Sequence, residues 1–247
     1  MILYVNGDSH SAAGEAVNKH CFAKDDQKYY HLGRKPHPDN LEASYGNLLA
    51  RKLGATLVCD AESASSNTRI FRTTEEYLKH NKPDLVVIGW STWEREEWFE
   101  DGIYYQVTAS GTDSVPQSLK QQYKDWVISQ THTEVQRKIL EWHDKIYQFH
   151  LNLSEQNIPH IFFNTYTNFS IIRNNQVITD VAPICPPEYD WNNSYIDPYS
   201  QDMTYYFWLQ NSGLETVSKN SYHYGADAHA KWAEFLSEHL TKNNILL

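Results

Sequence analysis

The amino-acid sequence predicts an α/β protein: a mostly parallel sheet sandwiched between helices in three layers, in one domain spanning residues 1–247. Three observations lead there. The 247 residues suit one sizeable domain and fall short of two. Four short runs rich in β-branched and aromatic residues are bounded by turn residues, as buried strands are. Between them lie patterns of helical period, and strand alternating with helix implies parallel neighbours joined by crossovers.

The first run is Ile2–Asn6, and it ends on Gly7-Asp8-Ser9. Gly7 permits a sharp turn that a residue with a Cβ resists. The turn leaves Asp8 and Ser9 at the carboxyl edge of the sheet, where open α/β folds bind ligands. Leu41, Tyr45, Leu48, Leu49 and Leu53 follow a helical period behind a cap at Asp39 or Asn40. Thr56–Asp60 is the second strand. Thr73 and Glu76 have capping-box spacing just ahead of "YLKH", and Leu85–Trp90 is the third strand. Thr133 and Gln136 repeat that spacing before the strongest helix, where Val135, Ile139, Trp142, Ile146, Phe149 and Leu153 form one apolar seam. His160–Asn164 is the fourth strand. The closing helix carries Ala228, Trp232, Phe235, Leu236 and Leu240, with Asp227 as its N-cap. Two insertions, at about 93–130 and 165–222, break the rhythm, and segments of this length are usually functional. Within the second, "FSIIRNNQVITD" reads as a hairpin around Asn174-Asn175.

Composition narrows the partners. A net charge of −10 with both signs interspersed offers no basic face for a phosphate backbone, which argues against nucleic acid. There is no basic N-terminal region followed by a signal-length apolar stretch, and no run of membrane-spanning length. The expectation is a cytoplasmic or virion-associated protein with no membrane partner. Cys21, Cys59 and Cys185 lack CxxC spacing and read as thiols. The histidines, His143 and His150 on the long helix among them, form no HExxH or Cys/His cluster, so no metal or other cofactor is implied. His10 reads as a surface or loop residue, and Arg69, Arg72, Glu94 and Arg95 as ordinary solvated charges before ion pairs flanking the cleft. With 8 Trp and 17 Tyr, aromatic rings are in surplus. Trp90, Trp93, Trp98, Tyr104 and Tyr105 are core candidates first and sugar-stacking candidates second.

Gly7-Asp8-Ser9 gains weight from three features that follow it in order: "AESASSNTRI" (61–70), "VVIGWSTWERE" (86–96) and "SYHYGADAHAKWAEFL" (221–236). Together these resemble the SGNH (GDSL-like) hydrolases over most of the chain and, more distantly, SGNH-like proteins of marine phages. The resemblance implies a flavodoxin-like sheet with Ser9 as nucleophile and its N–H as an oxyanion donor. His223 is then the general base that takes the Ser9 proton and returns it to the leaving group, while Asp8 supports the loop through hydrogen bonds.

Departures from the family pattern matter. Where the family has a Gly that completes the oxyanion hole, Ser65 or Ser66 stands here, and a backbone N–H still serves. Where it has an Asn, the chain offers Ser91 and Thr92, whose hydroxyls each donate one hydrogen bond. Loss of a donor raises a barrier by about 3–4 kcal/mol. Asn220 occupies the place of the Asp that orients the base. A neutral amide can bond the imidazole but cannot stabilise an imidazolium, and a carboxylate from 180–202 is the other source. Asp227-Ala228-His229 competes as an acid–base pair, and His223 is favoured because both of the others fall inside the last helix.

The implied activity is ester hydrolysis through an acyl-enzyme on Ser9, as an esterase or a carbohydrate O-deacetylase. A small acyl ester or acetylated saccharide is the expected substrate, with Trp90 and Trp93 as candidate contacts. The alternative is a catalytically weakened binding or structural protein on the same fold, virion-associated, favoured by Asn220 and Thr92.

Overall fold

The structure, a computed structural model, describes residues 1–23, 31–109, 115–169, 171–173, 176–178 and 189–246. In chain order its strands and helices are β1 (Ile2–Gly7), α1 (Pro38–Ala43), α2 (Tyr45–Leu53), β2 (Thr56–Cys59), α3 (Asn67–Leu78), β3 (Leu85–Trp90), β4 (Glu96–Glu100) and β5 (Ile103–Val107). There follow α4 (Lys120–Ser129), α5 (His132–Glu155), β6 (His160–Asn164), β7 (Ile171–Arg173), β8 (Gln176–Ile178), α6 (Tyr205–Asn211) and α7 (Ala226–Lys242). All four strands expected from the sequence are present, with ends within one residue. They form one parallel sheet in the order β2-β1-β3-β6.

The sheet divides its side chains by parity, as a period of two requires. Leu3, Val5, Leu85, Val87, Ile161 and Phe163 face α2, α6 and α7, where Tyr45, Leu49, Tyr205, Trp232 and Leu236 complete one core. Tyr4, Val86, Ile88, Trp90 and Phe162 face α3 and α5. The apolar seam expected on α5 is there: Ile139, Ile146, Phe149 and Leu153 are buried against this second face, with Val135 and Trp142 beside them. Each fully buried Leu, Ile or Phe contributes roughly 1.5–3 kcal/mol, so both faces hold the sheet between helices and make three layers. Asn6 ties β1 to α3, its amide donating to Ile70 O (3.0 Å), Thr73 Oγ1 (2.9 Å) and Thr74 Oγ1 (2.9 Å).

Helix starts differ from the sequence reading because several polar residues compete for each cap. Ser66 caps α3, so Thr73 lies inside that helix and bonds back to Arg69 O (2.9 Å). Thr131 caps α5 by accepting from Glu134 N, two residues before the Thr133 expected. The single helical pattern over 41–53 is two helices broken at Ser44, which ends α1 and caps α2. Gly225 precedes α7, and Asp227 sits in its first turn, accepting from Ala228 N (2.9 Å). The insertions carry the β4-β5 hairpin and, at 171–178, the expected antiparallel pairing of β7 with β8; Asn174 and Asn175 lie outside the described residues, as does Cys185.

Burial pushes His143 and His160 down to about 4 and His229 down to about 3. The rings pair as neutral groups: His150 Nδ1 lies 2.8 Å from His160 Nε2, and His143 Nε2 lies 3.0 Å from Tyr199 Oη. A histidine whose folded pKa is depressed binds fewer protons in the fold than in the unfolded chain between the two values. Stability therefore falls as pH drops from about 6.5 towards 4, by up to about 1.4 kcal/mol per pH unit for each ring. The expected result in calorimetry is a Tm that declines steadily from pH 7 to pH 5. A constant Tm over that interval would show that these rings take up protons without unfolding.

Candidate active site

The sheet order makes β1 and β3 the pair at which the winding reverses, since the chain leaves β1 first for β2 on one side and then for β3 on the other. Such a switch point opens a crevice at the carboxyl ends of the strands. Gly7 pairs with Gly89 there, and the Ser11 side chain fills the space above both. A Cβ on Gly7 would lie 2.1 Å from Ser11 Oγ, and one on Gly89 would lie 2.6 Å from it. Neither Gly7 nor Gly89 can therefore carry a side chain without displacing Ser11. The turn behind them coils tightly, with Ala12 N–H donating to Asp8 O (2.9 Å) and Gly14 N–H to Ser9 O (2.8 Å). Ala13 and Glu15 take left-handed conformations, at φ 53° and 62°. Asp8 is buried in this loop, accepting from His10 N–H (3.0 Å) and Thr165 Oγ1–H (3.0 Å), with Arg95 at 3.7 Å.

A cleft of about 490 Å³ opens over the turn, and Ser9, His10, Ala64, Thr92, Tyr222 and His223 are among its lining residues. Ser9 and His223 share it without a direct hydrogen bond. Such contacts are often loose in a free enzyme and tighten with substrate bound. His223 Nδ1 lies 2.7 Å from Glu15 Oε2, which also accepts from Ser221 Oγ (2.6 Å). The hydrogen bond from His223 chiefly lowers the Glu15 carboxyl pKa, aided by the one from Ser221. Asn220, expected to orient the imidazole, is exposed, and the nitrogen it would hold is taken by Glu15. His229 is buried behind the site, where Tyr45 N–H donates to its Nδ1 (3.3 Å); it does not line the cleft.

His10 is a correction. It is 7 % exposed rather than a surface residue, its ring 5.7 Å from that of His223 and its Nδ1 without a partner. Burial holds it near 4 against the opposing pull of Asp8, so it is neutral at physiological pH.

Candidate oxyanion donors are also redistributed. Ser66 Oγ is spent on the N-cap of α3, accepting from Arg69 N–H (3.2 Å), and neither Ser65 nor Ser66 lines the cleft. Ala64 does, in a left-handed conformation at φ 71° that ordinarily favours glycine. Ser91 is committed elsewhere: its N–H donates to Asn67 Oδ1 (2.7 Å) and its Oγ accepts from Arg95 (3.1 Å). Thr92 Oγ1 is buried on the cleft with no partner. The N–H groups of Ser9 and Ala64 likewise have no hydrogen-bond partner among the described residues. Ala64 escaped sequence reading because a left-handed alanine leaves no compositional mark, whereas a glycine would have.

The loop that carries Ala64 is anchored by Glu62, wholly buried between Arg34 (3.3 Å) and Arg69 (2.8 Å) and accepting from Gly33 N–H (2.9 Å). Arg72 forms a two-pronged pair with Glu97 at 2.8 and 2.7 Å. Arg69, Arg72 and Arg95 are thus paired rather than solvated. Trp90 and Trp93 are core residues and do not reach the cleft. Trp90 packs edge-on against Phe149 and Phe162, while Trp93 stacks on Phe169 at 4.6 Å and donates to Asn168 O (2.7 Å). Tyr166 and the exposed Tyr222 form the aromatic rim instead. Among the described residues no group of three or more His, Cys, Asp or Glu is placed to hold a metal.

Residues 35–156 match a family described as one of unknown function (DUF6071), a span that excludes Ser9, Glu15 and His223. No curated protein matches the sequence. Among solved structures the chain is similar to a carbohydrate esterase at 14 % identity, with a TM-score of 0.48 over 100 % of this chain and 66 % of that one. It is similar to a carbohydrate esterase family 2 enzyme with a carbohydrate-binding domain from Corynascus thermopiles (Myceliophthora fergusii) at 14 % identity and TM-score 0.46, over 98 % and 66 % of the two chains. An acetyl xylan esterase matches at 14 % identity and TM-score 0.47, over 96 % and 98 %. The chain thus spans just under two thirds of the length of the first two. Nothing in these findings bears on the phage resemblance.

Gly89→Ala tests the packing under the site. Its Cβ would meet Ser11 Oγ at 2.6 Å and Phe163 and Thr165 at 2.9 Å. Overpacking of this kind costs about 1–3 kcal/mol, which lowers Tm by roughly 3–10 °C in a chain of this size. An unchanged Tm would show that β1 and β3 separate freely at their ends.

Proposed function

We propose that this protein is a serine ester hydrolase in which Ser9 is the nucleophile and His223 the general base. One observation carries the reading: a hydroxyl, an imidazole and three unpartnered donors line a single cleft at the switch point of the sheet. Of the three, the Thr92 hydroxyl is buried, and an unpartnered buried donor is normally rare. Their convergence fits a group that gains negative charge only during reaction.

The mechanism follows from those roles. His223 Nε2 takes the Ser9 proton as Oγ attacks the ester carbonyl. The oxyanion accepts from the N–H of Ser9 and Ala64 and from the Thr92 hydroxyl. Collapse expels the alcohol, which takes the proton from Nε2 and leaves an acyl group on Ser9. Water, deprotonated by the same imidazole, repeats the cycle and releases the acid.

A small acyl group on a saccharide is the substrate class we favour. Asp8, Ser63, Glu94, Arg95 and Thr108 also line the cleft and offer polar partners to the hydroxyls of a sugar. Tyr222, 63 % exposed, and Tyr166 offer ring faces at the mouth, where a sugar stacks while its hydroxyls bond the rim.

Two experiments test this. A fluorophosphonate probe should label Ser9 in the pure protein, Ser9→Ala should abolish the label, and p-nitrophenyl acetate should be turned over faster than the octanoate. A folded sample that neither labels nor hydrolyses would favour the alternative of a binding protein. Thr92→Val removes a donor while keeping the shape, so kcat should fall about 10²-fold with KM little changed; a wild-type kcat would remove Thr92 from the oxyanion site.

A further inference from the structure

We propose that Glu15 is the positioning residue for His223, so that the orienting carboxylate comes from the nucleophile's own turn and not from the loop that bears the base. This rests on the hydrolase reading above. The contact is short, 2.7 Å from Glu15 Oε2 to His223 Nδ1, and it is locked from both ends. Ser221 Oγ donates to the same carboxylate oxygen (2.6 Å) and accepts from His223 N–H (3.0 Å), closing a ring of hydrogen bonds. Glu15 holds φ at 62°, a conformation that disfavours any residue with a Cβ by about 1–2 kcal/mol. The coil from Ser9 through Glu15 spends that strain to turn the carboxylate back over the site.

The chemical consequence is a fixed tautomer. With Nδ1–H donating to Glu15, the lone pair of His223 sits on Nε2, the nitrogen that must accept the Ser9 proton. The imidazolium formed in the transition state then faces a carboxylate, as Asn220 could never provide. Around the ring, His10 and His229 are held neutral by burial, Asp8 pairs with Arg95 at 3.7 Å, and Glu94 is the other carboxylate that lines the cleft. Within 189–202, the described part of the second insertion's acidic stretch, no carboxylate bonds His223.

Glu15→Gln in the full-length chain is the test. The expected result is a fall in kcat/KM for p-nitrophenyl acetate of at least 10²-fold, mostly in kcat, with the acidic limb of the pH profile moved to lower pH because the ring has lost its carboxylate. Glu15→Asp should recover part of the loss. Asn220→Asp, at an exposed position, should change kcat/KM less than twofold. A folded Glu15→Gln protein with wild-type kcat/KM and pH profile would overturn the proposal, as would a tenfold gain from Asn220→Asp. If Ser9 still labels with the fluorophosphonate in either case, the hydrolase reading survives that failure. Should Glu15→Gln not fold, the wild-type protein should show a far-downfield proton resonance from the imidazole Nδ1–H that is lost in His223→Gln, and its absence would count against the proposal. A wild-type protein that neither labels nor hydrolyses would end both readings together.

Discussion

Ser11, wedged above Gly7 and Gly89, is the constraint on which the rest of this site depends. A Cβ at either glycine would collide with the Ser11 side chain. With both positions bare, the chain leaving β1 can fold straight back over the sheet instead of continuing past it. That return coil holds Asp8, Ser9, His10 and Glu15 within one compact loop, so in the proposed hydrolase a single turn would supply the nucleophile, a carboxylate and an imidazole neighbour. A bulkier end to either strand would push Ser11 out and take the coil with it.

Charge burial then makes the coil and its neighbours rigid. Glu62 lies between Arg34 and Arg69, tying the Ala64 loop to α3, and Asp8 lies between Thr165 and Arg95, tying the Ser9 turn to the loops after β6 and β3. Pairs of this kind add little net stability when compared with apolar packing, yet removing one partner costs about 3–5 kcal/mol because the other charge is stranded. Their value is in geometry: they fasten the Ala64 turn and the Ser9 turn to neighbouring elements. Preorganised donors stabilise developing charge only when they need not move to meet it.

How much of this was legible in the sequence divides along physical lines. The strands and the α5 seam were, because burial imposes a period that survives in composition. The order of the four blocks also pointed to Ser9, Thr92 and His223, which the structure gathers around one cleft. What escaped were the residues whose roles depend on left-handed backbone. Ala64 and Glu15 hold conformations their side chains disfavour, and nothing in their identity announces it. His10 reads as a loop residue until Tyr205 and Tyr206 are seen to cover it. Trp90 and Trp93 show the opposite limit: an aromatic ring beside a motif serves a core as readily as a substrate, and only the parity of β3 and the contact with Phe169 decide between them.

The loop bearing His223 completes the logic. Thr216 bridges to Tyr224, and Val217 N–H donates to His223 O (2.9 Å), so the base rides on a short antiparallel turn docked at the start of α7. Tyr224 Oη donates to Tyr206 O (3.0 Å), and Tyr222 on the same turn reaches Tyr166. His223 and Tyr222 therefore share one turn, Ser9 and Glu15 share another, and the Glu15–His223 hydrogen bond joins the two. In the proposed reaction, a sugar resting on Tyr222 would bear directly on the turn that holds His223 against Glu15. Binding energy from the part of the substrate that does not react would then be converted into alignment of the part that does, which is how remote contacts raise kcat and not affinity alone.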